Sequence, residues 1–146
     1  MISAIDIKTA VISLLRKRYP EVKCYGADVK EGLRKPAFNI QLIPSDISGS
    51  NYSTYSSVYL CTITYFQKKV SEVDMLSVAA GVHKLFGRKL KVKDRRLNVS
   101  SFQYDLIGEN GELLQMSAEF EFLDAWERDK EPEVARRISI ESEVEV

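Results

Sequence analysis

A chain of 146 residues, 45% hydrophobic and 29% charged, has apolar material for one domain with a self-sufficient core. Its formal net charge of zero excludes the basic surplus of a general nucleic-acid binder. No apolar run reaches membrane-spanning length, the N-terminus lacks a basic-then-apolar secretory layout, and Cys24 and Cys61 show neither CxxC nor metal spacing. A reducing cytoplasm, with both cysteines as small core hydrophobes, is the expectation.

Ser3 and Asp6 form a capping-box pair, and Ile7, Val11, Leu14 and Leu15 follow at helical spacing. Tyr19-Pro20 stops that helix, which should span about residues 4–18. Val22 to Val29 predicts a short strand, weakened by Gly26. Phe38, Ile40 and Leu42 alternate with Asn39 and Gln41 as a half-buried strand that Pro44 should end. The Ser-, Gly- and Asn-rich stretch 45–54 predicts a mobile loop.

Tyr55 to Phe66 is the strongest strand signal. Val58, Leu60, Thr62, Thr64 and Phe66 share one face, and Tyr59, Cys61, Ile63 and Tyr65 the other. Useful side chains on both faces predict a central strand, or one whose second face a partner covers. Ser71 and Asp74 repeat the capping signal. Met75, Val78, Ala79, Val82, Leu85 and Phe86 make the stripe of a second helix that Gly87 should close. Leu90 and Val92 suggest a short strand, and the basic turn Lys93 to Arg96 leads into a strand from Leu97 to Leu106. Asn110-Gly111 marks a hairpin. The returning strand Leu113 to Leu123 should turn Leu114, Met116, Ala118, Phe120 and Phe122 inward. These elements predict an α+β fold: a mainly antiparallel sheet with two helices packed on one face, followed by an extended C-terminal arm. Residues 1–126 form the single domain, which Trp126 closes, and 127–146 the charged, strand-like arm.

That arm carries a pattern of its own. Ile138, Ile140, Val144 and Val146 would share one face of an extended strand, with only Ser142 interrupting, and Ser139, Glu141, Glu143 and Glu145 the other. A strand with one greasy face needs a sheet, and a neighbouring chain can supply it; the competing reading is a solvated tail. Residues 127–146 hold seven acids against four bases, a net of −3, which leaves +3 on the rest. The surplus gathers in Lys84, Arg88, Lys89, Lys91, Lys93, Arg95 and Arg96. Lys89, Lys91, Lys93, Arg95, Arg96, Ile138, Ile140, Val144 and Val146 are therefore the candidate interface residues. Opposite charges of this kind guide encounter and register.

Reaction chemistry is sparse. His83 is the lone histidine, and its i+4 position is Gly87, so a helical metal pair is missing. No G-x-S-x-G, Walker A loop or GxGxxG occurs. Glu119 and Glu121 share one strand face, which could hold magnesium but is equally a wet hairpin face. Tyr52, Tyr55, Tyr59 and Tyr65 could stack bases or fill a protein interface. The expectation is no catalytic residue, no metal and no cofactor.

The run Val29-Lys30-Glu31-Gly32-Leu33-Arg34-Lys35-Pro36-Ala37-Phe38-Asn39-Ile40, preceded by Leu14-Leu15 and Tyr19-Pro20 and followed by Thr62-Ile63-Thr64-Tyr65-Phe66, resembles the small tail terminator, or tail completion, proteins of bacteriophages and of phage-derived particles from Gram-positive bacteria. The resemblance covers about residues 5–125 and leaves out the acidic arm. It implies a non-enzymatic α+β subunit that forms a hexameric ring, caps the tail tube, stops its polymerisation, and offers a docking face to neck or sheath. The implied partners are copies of itself, the tail tube protein, and neck and sheath proteins, with no membrane and no specific nucleic acid. The implied place is the host bacterial cytoplasm during assembly and then the virion or a bacteriocin-like particle. The alternatives are another neck or tube component, or a small metal-dependent nuclease using Glu119 and Glu121.

Overall fold

A computed structural model of the protein describes residues 2–26, 32 and 34–126. Ile138, Ile140, Val144 and Val146, with the rest of the arm, lie outside the described residues. The elements run α1 (Ala4–Arg18), β1 (Lys23–Gly26), β2 (Ala37–Gly49), β3 (Thr54–Phe66), α2 (Glu72–Phe86), β4 (Lys89–Val92), β5 (Arg95–Ile107) and β6 (Leu113–Ala125). The strands form one sheet in the order β1-β2-β3-β6-β5-β4. Every neighbouring pair is antiparallel except β1 with β2. α1 touches strands at both margins, β1 and β4, so the sheet curls around the helices. The expected α+β architecture, with both helices on one face, is what forms.

The helices begin as their sequences dictate, but by two different devices. At α1 the capping box is complete: the Ser3 hydroxyl accepts from the Asp6 N–H at 3.2 Å, and Asp6 accepts from the Ser3 N–H at 2.9 Å. At α2 only half of it forms. Ser71 Oγ accepts from the Asp74 N–H, but the Ser71 N–H donates to Gln67 Oε1 at 3.0 Å. The Asp74 carboxylate instead accepts from the Tyr65 hydroxyl at 2.8 Å and from Gln67 Nε2 at 2.7 Å. This network ties the end of β3 to the start of α2 and satisfies the buried Gln67. Burial, with the Asp74 hydrogen bond, pushes the Tyr65 hydroxyl above its ordinary pKa.

Period two then builds the core. The inner face takes Phe38 and Ile40 from β2, Cys61, Ile63 and Tyr65 from β3, and Leu114, Met116, Ala118 and Phe120 from β6, all buried. Ile7, Val11 and Leu15 of α1 and Met75, Val78, Ala79, Val82 and Phe86 of α2 close over them. Phe86 meets Phe120 edge-on at 5.7 Å, and Phe38 sits between Tyr19 at 5.6 Å and Tyr65 at 5.3 Å. Each fully buried phenylalanine contributes roughly 2–3 kcal/mol. Gly81 in mid-α2 is where the helix meets the Tyr19 hydroxyl; a Cβ there would collide with it.

Pro44 does not end its strand. β2 continues to Gly49, and residues 46–49 pair with β3 rather than forming the mobile loop expected of residues 45–54. The reason lies in the neighbours. Among the described residues β1 covers β2 only as far as Ile40, so beyond it β2 has an unpaired edge there, where a proline is tolerated. A bulge between Pro44 and Asp46 absorbs the misfit. The turn that follows is organised by Asn51, whose Oδ1 accepts from the Ser53 and Thr54 N–H groups at 2.9 Å each. Trp126 docks on this turn, its backbone N–H donating to the Ser53 carbonyl and its ring lying 4.6 Å from that of Tyr55. At the other end, Asn110-Gly111 does close a hairpin, through the loop 108–112 between the paired Ile107 and Leu113. Gly111 adopts a φ of +63°, which favours glycine.

Candidate assembly surface

The alternation that fills the core leaves a second face with no helix on it among the described residues. Register across the sheet defines its rows. Gln41, Thr62, Ser117 and Gln103 form one; Ile43, Leu60, Glu119 and Ser101 the next; Asp46, Val58, Glu121 and Asn98 a third. Threonine, serine and glutamine surround a small apolar centre of Val58, Leu60 and Ile43. Leu60 and Val58 are half-buried by strand neighbours alone, and Ile43 is exposed. Such a face can meet another protein by shape and hydrogen bonds without precipitating as an exposed apolar patch would.

The basic segment borders this face and divides in two. Lys89 and Lys91 stand exposed on β4, opposite Asn98 and Arg96 of β5, and Arg96 is exposed beside them. Lys93, at the turn with φ +56°, reaches back to α1, its Nζ 3.2 Å from Asp6 Oδ1. The Ser3 N–H, and secondarily Lys93, hold the Asp6 carboxyl below its ordinary pKa. Arg95 turns to the helix side. It pairs with Asp124 at 3.2 Å, donates to the Leu123 carbonyl, and lies 5.5 Å from the Phe122 ring. Asp124 also accepts from the Ile2 N–H at 3.1 Å and the Ala125 N–H at 3.0 Å. Burial alone would raise the Asp124 pKa, but these donors and Arg95 outweigh it and the net shift is downward. Two of the five bases thus spend their charge within the chain, and three face outward.

Between α2 and β5 lies a feature that strand and helix patterns did not single out. Leu76, Ala79, Ala80 and His83 face Phe102 and Tyr104 across an apolar groove of about 340 Å³. The His83 ring lies 5.0 Å from that of Phe102. β5 carries Phe102, Tyr104 and Leu106 on its helix-side face past the point where α2 covers them, leaving Tyr104 56% exposed. Their alternation was visible in the sequence; that α2 leaves them uncovered was not.

Glu119 lies between Leu60 and Ser101, and Glu121 between Val58 and Asn98. Among the described residues no three His, Cys, Asp or Glu side chains gather as a metal site. Cys61 is buried, and burial pushes its thiol up to about 12, far from a reactive thiolate. Cys24 is half-buried and shifted the same way. Of the four tyrosines, Tyr55 packs on Trp126, Tyr59 stacks on Phe122 at 5.9 Å, and Tyr65 bonds Asp74; only Tyr52 stands wholly in solvent, at the β2–β3 turn. No helix among the described residues is long and apolar enough to cross a membrane.

A family profile described as phage tail terminator protein matches residues 6–133. It takes in the whole sheet, all of α2 and α1 from Asp6 onward, and stops short of Ile138. No curated protein matches the sequence. Among solved structures, a chain from the virion of a native gene transfer agent particle is 15% identical and superposes with a TM-score of 0.52, covering 82% of this chain and 92% of that one. A second solved chain is 14% identical with a TM-score of 0.50, covering 89% of this chain and all of that one. At such identities both likenesses speak to the fold.

Proposed function

The chain belongs to the phage tail terminator family, and from that premise we propose that it is a ring-forming subunit that caps the tail tube, stops its polymerisation, and presents a docking face to the neck or sheath. The family is structural, so a place in the tail and association with other tail components follow from membership. The ring, its six copies and its capping action are this proposal. The family match over residues 6–133 is the observation that carries it.

The surfaces support the reading. A closed ring needs heterologous contacts, in which one patch meets a different patch on the next copy. The chain offers unlike patches: the uncovered outer sheet face, the apolar groove of α2 and β5, the outward bases Lys89, Lys91 and Arg96, and the acidic arm with Ile138, Ile140, Val144 and Val146. Lys93 and Arg95 serve this reading less directly, through the fold they brace. The subunit works by contact and transforms no substrate; it assembles in the host bacterial cytoplasm and then stays in the virion or tail-like particle.

Two measurements test it. Purified protein added to growing tail tubes should co-sediment with them, bind one end, and halt elongation at substoichiometric ratios to tube subunits. Light scattering on the capped species, or on the free protein at high concentration, should give a ring of about six copies. Long filaments of the protein alone would identify a tube subunit instead. Failure to bind either tube end would sink the capping role.

A further inference from the structure

β4 is paired on one side only. It meets β5 from Lys89↔Asn98 to Val92↔Arg95, and the sheet ends there among the described residues. An unpaired strand margin is a template for one more strand. The side chains of β4 specify what that strand must be. Leu90 and Val92 are buried on the helix side, while Lys89 and Lys91 stand in solvent on the other. An added strand therefore needs aliphatic residues at alternate positions for one face and acids between them for the other. Lysines along the edge discourage strands without those acids.

Residues 138–146 have this pattern, with Ile138, Ile140, Val144 and Val146 alternating with Ser139, Glu141, Glu143 and Glu145, and Ser142 the one interruption of the aliphatic face. They also start from the right place. The chain leaves the described part at Trp126, just past β6, and β4 finishes at the same end of the sheet, where Arg95 opposite Val92 reaches Asp124. From β6 to a position beyond β4 is three strand spacings, about 14 Å. Residues 127–137 can span up to about 36 Å. A tether this short sets an effective concentration in roughly the millimolar range, well above that of a second copy in dilute solution.

We infer that residues 138–146 add to the β4 edge of their own chain as a seventh strand, antiparallel to β4. Glu141 and Glu143, or one pair further along Glu143 and Glu145, then stand opposite Lys91 and Lys89. The aliphatic side chains continue the face of Leu90 and Val92, with Ser142 opposite Leu90 in the first register and opposite Val92 in the second. A slip of one residue would drive glutamates onto the helix side, so the faces are set even though two registers satisfy the charges. In an assembled ring the same strand can be exchanged onto a neighbour without a new kind of contact. The inference itself concerns the free subunit and does not depend on capping.

Hydrogen–deuterium exchange of the full chain at low micromolar concentration tests it, read at the β4 amides of Lys89 and Lys91, which point away from β5, with the β6 amides of 114–120 reporting that each variant is folded. The wild-type β4 amides should be protected. K89E/K91E should lose about tenfold in protection, as should E141K/E143K/E145K, and combining all five substitutions should restore most of it. Unprotected β4 amides in the wild type, or no recovery in the combined variant, overturn the inference. Protection that fades on dilution assigns the strand to a second copy and overturns the same-chain assignment. Because tube binding is not the readout, this result and that of the capping experiment can fail separately.

Discussion

The two faces of the β3–β6 pair come from the same residues of backbone and have opposite fates. On one, Cys61, Ile63, Met116 and Phe120 are sealed beneath two helices. On the other, Leu60, Thr62, Ser117 and Glu119 are half-buried by their strand neighbours, with no layer above them among the described residues. A sheet whose second face is neither greasy nor strongly charged is stable alone yet able to take a protein partner. Stability should therefore reside in the inner face and association in the outer one, and substitutions can separate the two.

The largest effect belongs inside. Phe120→Ala removes a ring that lies edge-on to Phe86 and should cost about 3–5 kcal/mol in urea unfolding; a loss below about 1 kcal/mol would mean that the inner face is not the stabilising one. Next comes the seam where Ile2 meets the end of β6. Asp124→Asn weakens the acceptor for Ile2 and strands Arg95, costing about 1–3 kcal/mol. Because the folded-state pKa of Asp124 lies below its ordinary value, its contribution is present above about pH 4 and fades as pH falls through the folded-state value. The wild type should lose stability there more steeply than Asp124→Asn; parallel acid limbs would refute the assignment.

On the outer face the order reverses. Thr62→Lys should change stability by about 1 kcal/mol or less, yet abolish arrest of tube growth if that face meets the tube or a neighbouring subunit. Unaltered arrest would move the working surface elsewhere, the α2–β5 groove being the next candidate. Smallest of all is Lys93→Gln, which breaks a half-exposed pair with Asp6 and should barely move the midpoint of thermal unfolding.

Much of this molecule is legible without its structure, because the governing forces are local. Helical spacing located α1 and α2, alternation separated the inner from the outer residues of β3 and β6, and Gly87 closed α2 as expected. Where a distant neighbour decides, the pattern was silent or misleading. Pro44 reads as a stop and is not one, because among the described residues that part of β2 is an edge. Asp74 reads as half of a capping box, but Tyr65 and Gln67 take its carboxylate.

The same division holds for the bases from Lys89 to Arg96. The sequence by itself determined that they cluster and that an acidic, alternating segment lies at the other end of the chain. Only the tertiary structure decided which of them face outward, since Asp6 claims Lys93 and Asp124 claims Arg95 from far along the chain. Periodicity fixes which way a side chain points along its own strand, but its partner is chosen by strand order and register, and those are set by how the whole sheet packs around its helices.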